Sequence, residues 1–430
     1  MGPELREGTG AVRLLQYALV CVLGVAGCGG NDTGRTEPLT ADDTVVSVRP
    51  GIDVLLDDSL HLVSGRRVGL ITNQTGLTAT GGSTIDALHG EAGVSLVALF
   101  SPEHGIRGVA APGVAIDSGM DASTGLPVHS LYGETRKPTP SMLSDIDVLV
   151  FDIQDIGARY YTYLSTMALA MEAASEAGIP FVVLDRPNPI GGEAMNGNVL
   201  DPAFASFVGP YAVPMRHGLT PGEWARLVHA RFGVEADLRV VPVAGWNRAV
   251  WFDGTGLPWV APSPNMPDLE SATHYPGTCL FEGTNLSVGR GTDRAFQQIG
   301  APWLDAAAVI AALDAMDLPG IRFEATVFTP VSPGDGKHDG VESNGVRFIV
   351  TDRATYDPVH AAVAALIAIR DLHAAFQFNA AGFDRLAGTD RLRLDIESGA
   401  SAGSIVAGWS DALESFATLR RPHLLYDEPR

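Results

Sequence analysis

The chain has 430 residues, more than one small core uses, so two domains are expected. Apolar residues make up 46% and charged residues only 18%, which excludes a largely disordered chain. Acidic side chains outnumber basic ones 50 to 29, a net charge of −21. Such a surface excludes coating nucleic acid, which needs clustered Lys and Arg, and argues against electrostatic adhesion to an anionic bilayer.

Residues 14–27 (LLQYALVCVLGVAG) form an apolar run with the length of a signal-peptide core, too short for a comfortable membrane span. Arg6 and Arg13 precede it, diluted by Glu4 and Glu7. Its end, Val25-Ala26-Gly27-Cys28, has the small-residues-then-Cys form of a bacterial lipobox, which predicts lipidation at Cys28. The alternative is an ordinary signal peptide with Cys28 incidental. The polar stretch 29–46 then reads as a tether, and the expected location is the bacterial cell envelope, with a lipid anchor in a membrane. Only Cys279 remains in the folded part, so neither an internal disulfide nor a zinc-holding Cys cluster is expected.

Four short apolar runs follow: Arg67–Thr72, Val94–Phe100, Asp147–Ile153 and Pro180–Leu184. They read as buried parallel strands. Helical patterns lie between them at Ser83–His89 and Tyr161–Ala177. A third, Thr220–Phe232, opens with Thr-Pro-Gly-Glu, an N-cap followed by Pro at the first helical position. The alternation predicts an α/β fold with a Rossmann-like parallel sheet, whose ligands sit at the carboxyl ends of strands. Residues 245–278, dense in Trp, Pro and Asn, read as an irregular connection or lid. Beyond it, helical patterns at 304–316 and 358–375 alternate with strand-like runs at 321–328 and 345–351. The expected organisation is a first domain over 47–268, a smaller α/β domain over 269–430 and a cleft between them.

Polar residues follow each of the four strands, and their convergence predicts one site. They include Asn73 and Gln74; Glu103, His104 and Arg107; Asp155, Arg159 and Tyr160; Arg186 and Asn188. Glu103 follows Ala-Leu-Phe and precedes His104-Gly105, so a partly desolvated carboxyl suited to general acid catalysis is expected there; a capping carboxylate is the alternative. Glu282, between Phe281 and Gly283, is placed to face it across a cleft, and two carboxyls flanking a bond are what glycoside hydrolysis needs. Asp155 is a third catalytic candidate, with a salt bridge to Arg159 as its competing role. His217 is a ligand-binding or a structural histidine. Arg107, Arg159, Arg186 and Arg290 are candidates for gripping an anionic group. Tyr160, Tyr161, Tyr163, Trp246, Trp251, Trp259 and Tyr275 are candidate sugar platforms or packing residues. No dinucleotide fingerprint, Walker lysine, nucleophile elbow or HExxH occurs, so no nucleotide cofactor and no metal are expected.

Several segments resemble the bacterial exo-β-N-acetylmuramidase family, glycoside hydrolases long known only as a domain of unknown function. They are GLITNQTG (69–76), LFSPEHGIRG (99–108), LPVHSLYGETRKPT (126–139), DVLVFDIQDIGARYYTYLSTM (147–167), LDRPNP (184–189), PMRHGLTPGE (214–223), PSPNMP (262–267) and YPGTCLFEGTNLSVGRGT (275–292). LAGTD (386–390) and RRPHLLY (420–426) extend the likeness to the C-terminus. The resemblance implies two α/β domains with no nucleotide cofactor, and an active site in the cleft. It implies removal of non-reducing terminal N-acetylmuramic acid (MurNAc) from peptidoglycan fragments. Carried over to these motifs, Glu103 and Glu282 are the site carboxylates, and Asn265 and Asn285 join the substrate-binding candidates. The lactyl carboxylate of MurNAc calls for an arginine, for which Arg107 or Arg290 is expected. Another envelope exo-β-hexosaminidase and a non-catalytic muropeptide-binding lipoprotein are the alternative readings.

Overall fold

In the main sheet, β1 (Arg67–Thr72) lies at the centre. On one side it pairs in parallel with β2 (Ser95–Ser101). The short β3 (Gly119–Met120) and β4 (Pro127–Ser130) complete that edge, β4 parallel to β2 and β3 antiparallel to β4. On its other side β1 pairs in parallel with β5 (Val148–Asp152), which pairs with β6 (Phe181–Leu184). An antiparallel ribbon of β7 (Asn196–Val199) and β8 (Pro214–Arg216) intervenes before β9 (Leu238–Val241) joins β6. The order β3-β4-β2-β1-β5-β6-β9 reverses direction between β1 and β5, which is the topological switch point of a Rossmann-like sheet. This computed structural model describes residues 47–427 apart from 109 and 112. The signal peptide, the tether and Cys28 lie outside the described residues. Among the described residues, no helix is long and apolar enough to cross a membrane.

The strands are apolar on both faces because both faces are covered. Val68, Leu70, Leu99, Val148, Val150 and Val182 pack against α1 (Gly51–Asp58) and α2 (Thr84–Gly90). Beyond the four-residue α3 (Pro140–Leu143), α4 (Tyr163–Ala177) and α5 (Pro221–Arg231) cover Ile71, Phe100, Phe151, Phe181 and Val183. The α5 start carries a full capping box: the Thr220 hydroxyl accepts from Glu223 N–H, and the Glu223 carboxylate accepts from Thr220 N–H. α4 stops at Gly178, whose φ of 67° suits a residue without Cβ.

The lid-like stretch ends in a regular helix, α6 (Leu269–Thr278). The sequence hides it because Pro276 and Gly277 sit in its last turn, yet Asp268 caps its start by accepting from Ser271 N–H. Gly277 lets α6 approach the start of α8 (Pro358–Leu372): a Cβ there would lie 1.9 Å from the Pro358 carbonyl oxygen. In this half, β10 (Gln298–Ala301), β11 (Ile321–Phe328) and β12 (Ser343–Val350) form an antiparallel sheet in the order β10-β12-β11, packed with α7 (Ala306–Asp314) and α8. One hydrophobic core runs from Phe100 and Phe151 through Leu280 and Phe281 to Phe348 and Leu366.

Candidate active site

β2 delivers Glu103. After Ser101 the chain turns sharply: His104 has φ of 71° and Gly105 of 80°. A left-handed histidine is an uncommon conformation that concentrates at functional sites. The turn aims the Glu103 carboxyl at the N-terminus of α4. One Glu103 oxygen accepts from Thr162 Oγ1 (2.7 Å) and the other from Gly113 N–H (2.9 Å). Thr162 occupies the N-cap position but makes no side-chain cap, so its hydroxyl is available to Glu103. Tyr132 stands beside the same carboxylate; burial, reinforced by the Glu103 charge, pushes its phenol up to about 12.

Glu103, His104, Tyr160, Glu282 and Arg290 line one pocket of about 140 Å³, with Thr162, Ser263, Cys279 and Val208. Its lining comes from both halves of the chain. Glu282 stands on the turn after α6, ion-paired with Arg290 and accepting a weak bond from the Cys279 thiol at 3.6 Å. Burial pulls the Arg290 guanidinium down, but the Glu282 carboxylate outweighs it, so the group is raised overall. Rings supply the remaining walls. Tyr163 meets Tyr161 edge-on at 5.0 Å, Tyr161 meets Tyr275 at 5.8 Å, and Tyr275 meets Phe296 at 4.6 Å. Arg290 lies 5.1 Å above the Phe296 ring centre. This edge-to-face chain of buried rings runs from α4 to the second half and forms a wall of the pocket. Burial pulls the His104 imidazole below its usual range, and its Nδ1 lies 2.7 Å from the Ala110 carbonyl oxygen.

The other predicted residues lie elsewhere. Asp155 is buried and absent from the pocket lining; one oxygen accepts from Gly157 N–H at 2.7 Å and the other has no hydrogen-bond partner among the described residues. Burial lifts it to about 7. No ion pair joins it to Arg159, which instead donates to the carbonyls of Asn198, Val213, Leu386 and Ala387. His217, pushed down to about 3 by burial, accepts from Leu219 N–H through Nδ1; its Nε2 is 4.0 Å from Asp155, too far for a hydrogen bond. Arg186 forks onto the Asp152 carboxylate (2.5 and 2.8 Å), and Arg107 pairs with Asp121 at 2.5 Å. Asn73 accepts from Thr75 in a tight turn, Gln74 donates to the Ala261 carbonyl, and Asn188 donates to the Leu219 carbonyl. Asn285 holds the segment 375–377 through two bonds. Asn265 is half-buried between the pocket residues Ser263 and Met266. Trp246, Trp251 and Trp259 pack outside the pocket, against Tyr426, Arg216 and Phe252 respectively.

Sequence reasoning missed Thr162, Tyr132, Ser263, Cys279 and Phe296. Thr162 carries a usable signal: a hydroxyl residue next to the start of a helix that follows a site-bearing strand end.

The N-terminal profile of the family described as "Exo-beta-N-acetylmuramidase NamZ" matches residues 68–270, and its C-terminal profile matches 273–426. The chain belongs to this family. The NamZ-family chain is 47% identical over 381 residues to the peptidoglycan beta-N-acetylmuramidase NamZ of Bacillus subtilis (strain 168), covering 88% of this chain and 91% of that protein. Its fold is similar to crystal structures of two DUF1343 family proteins from Bacteroides fragilis. One superposes with a TM-score of 0.82 at 36% identity, the other with 0.70 at 31%; each comparison covers 89% of this chain and all of the other. In the NamZ-family chain a carboxylate from the turn after β2 and a second, ion-paired carboxylate from the turn after α6 meet at one pocket.

Proposed function

We propose that this protein is an exo-acting β-N-acetylmuramidase that hydrolyses non-reducing terminal MurNAc from peptidoglycan fragments. The observation that carries this reading is its 47% identity, across 91% of the relative, to a peptidoglycan beta-N-acetylmuramidase. The pocket geometry supports the chemistry. Glu103, oriented by Thr162 and Gly113, is the acid that protonates the departing glycosidic oxygen. Glu282, paired with Arg290, is the carboxylate that activates water or stabilises the oxocarbenium-like transition state. Incubation of the pure protein with MurNAc-GlcNAc is expected to release MurNAc. Binding without turnover would instead indicate a muropeptide-binding protein, and release from GlcNAc glycosides alone another hexosaminidase.

We further propose that the chain is exported and anchored through lipidated Cys28. The apolar run, the small residues before Cys28 and the polar stretch after it support this. Metabolic labelling with a fatty acid is expected to mark the wild type and not Cys28→Ser. Equal labelling of both would reject the anchor.

A further inference from the structure

The LPVHSLYGETRKPT segment (126–139) supplied none of the site residues predicted from sequence, yet through Tyr132 it reaches the Glu103 side of the pocket. Its Tyr132 stands beside the Glu103 carboxylate, whose charge adds to burial in raising the phenol. The Tyr132 ring lies 6.0 Å from the ring of Phe207, the neighbour of pocket-lining Val208. Above both rings sits Arg136, its guanidinium carbon 4.2 Å from the Phe207 centre and 5.3 Å from that of Tyr132. Arg136 is exposed and, among the described residues, has no carboxylate partner. Stacking holds the planar group in place while leaving its N–H fork available.

The other cations around the pocket are engaged. Arg290 is paired with Glu282, Arg107 with Asp121, and Arg159 is spent on four buried carbonyls. The Lys337 ammonium is tied to the carbonyls of Phe281 and Glu282. An anionic substrate approaching two carboxylates and one neutralised arginine needs a free cation beside the Glu103 wall.

We infer that Arg136, held on Tyr132 and Phe207 at the pocket rim, is the specificity residue that takes a carboxylate on the C3 substituent of the muramyl unit. This rests on the muramidase reading. The carboxylate belongs to the free lactyl group or, in peptide-bearing fragments, to the stem peptide. The fork matches a carboxylate with two parallel N–H bonds, and an N-acetylglucosaminide, lacking that substituent, leaves it idle.

The test measures steady-state kinetics of the full-length protein, Arg136→Gln and Arg136→Lys on 4-nitrophenyl β-MurNAc, its lactyl methylamide and 4-nitrophenyl β-GlcNAc. Wild-type turnover of the first substrate checks the muramidase reading by itself. For Arg136→Gln, KM on the free-lactyl substrate is expected to rise about 10- to 100-fold, with kcat nearly unchanged. The methylamide and the GlcNAc glycoside, poor substrates already, should be unaffected by the substitution, and Arg136→Lys should recover part of the loss as a point charge. A peptide-bearing disaccharide that also loses affinity in Arg136→Gln assigns the stem-peptide carboxylate as a second source. Equal losses on all substrates with a lowered Tm would make Arg136 a structural tether. No change, or discrimination lost in Lys337→Met instead, would equally overturn the assignment.

Discussion

Replacing Glu103 by Gln separates its chemistry from its structural contacts. The amide has nearly the shape of the carboxyl. Its oxygen can keep the Gly113 N–H bond (2.9 Å), and its NH2 can donate to Thr162 Oγ1 (2.7 Å), whose hydroxyl turns from donor to acceptor. Two hydrogen bonds are exchanged for two, so the fold should lose no more than about 1 kcal/mol. What disappears is the transferable proton. General acid catalysis contributes roughly 10²- to 10⁴-fold, which is about 2.7–5.4 kcal/mol of barrier. The assay compares kcat on MurNAc-GlcNAc, whose leaving alkoxide needs protonation, with kcat on an aryl MurNAc glycoside, whose nitrophenolate leaves without it. Glu103→Gln is expected to lose the full factor on the disaccharide and less than about tenfold on the aryl glycoside. Equal deficits on both would assign Glu103 a role other than the acid, and undiminished disaccharide hydrolysis would remove it from the chemistry.

Two further predictions concern stability. Asp155 is held at about 7 in the fold against an ordinary 3.8, so the folded state binds more protons between those values. Its contribution is therefore fully present below pH 3.8 and lost as pH rises through 7. Asp155→Asn should remove that slope, gaining on the order of 4 kcal/mol at most over wild type at pH 8 relative to pH 4; parallel Tm–pH curves for the two proteins would contradict it. His217, depressed to about 3, works in the opposite direction, losing stability as pH falls from 6.5 through 3, and is common to both curves. Gly277→Ala puts a methyl 1.9 Å from the Pro358 carbonyl oxygen and 2.9 Å from the Ala362 Cβ. It should cost roughly 1–3 kcal/mol and lower Tm by several degrees in calorimetry, whereas an unchanged Tm would show that α6 and α8 separate freely.

Much of the strand succession was legible because its signals are local. A strand shows its hydrophobic pattern whatever surrounds it, and Arg67–Thr72 and Ile321–Phe328 were delimited to the residue. The polar residues behind the apolar runs of the first half marked strand ends, which placed Glu103 at the turn after β2. Helix α6 was illegible because its Pro276-Gly277 pair reads as a breaker. The pair is tolerated in the last turn, where the glycine serves a contact with a helix some eighty residues away.

The sequence by itself showed six of the twelve strands among the described residues, the family motifs and two carboxylates, Glu103 and Glu282, that meet at one pocket. It could not decide which charged residues are spoken for. Only the tertiary structure ties Arg159 to carbonyls at 386 and 387, Arg186 to Asp152 and Arg107 to Asp121, and leaves Arg136 with only aromatic partners among the described residues. Only it withdraws Asp155 from the pocket and brings Thr162 to Glu103. The physical reason is range. Backbone preference and hydrophobic periodicity act over a few residues, whereas the partner of a charge and the depth of its burial are set by where distant segments cross.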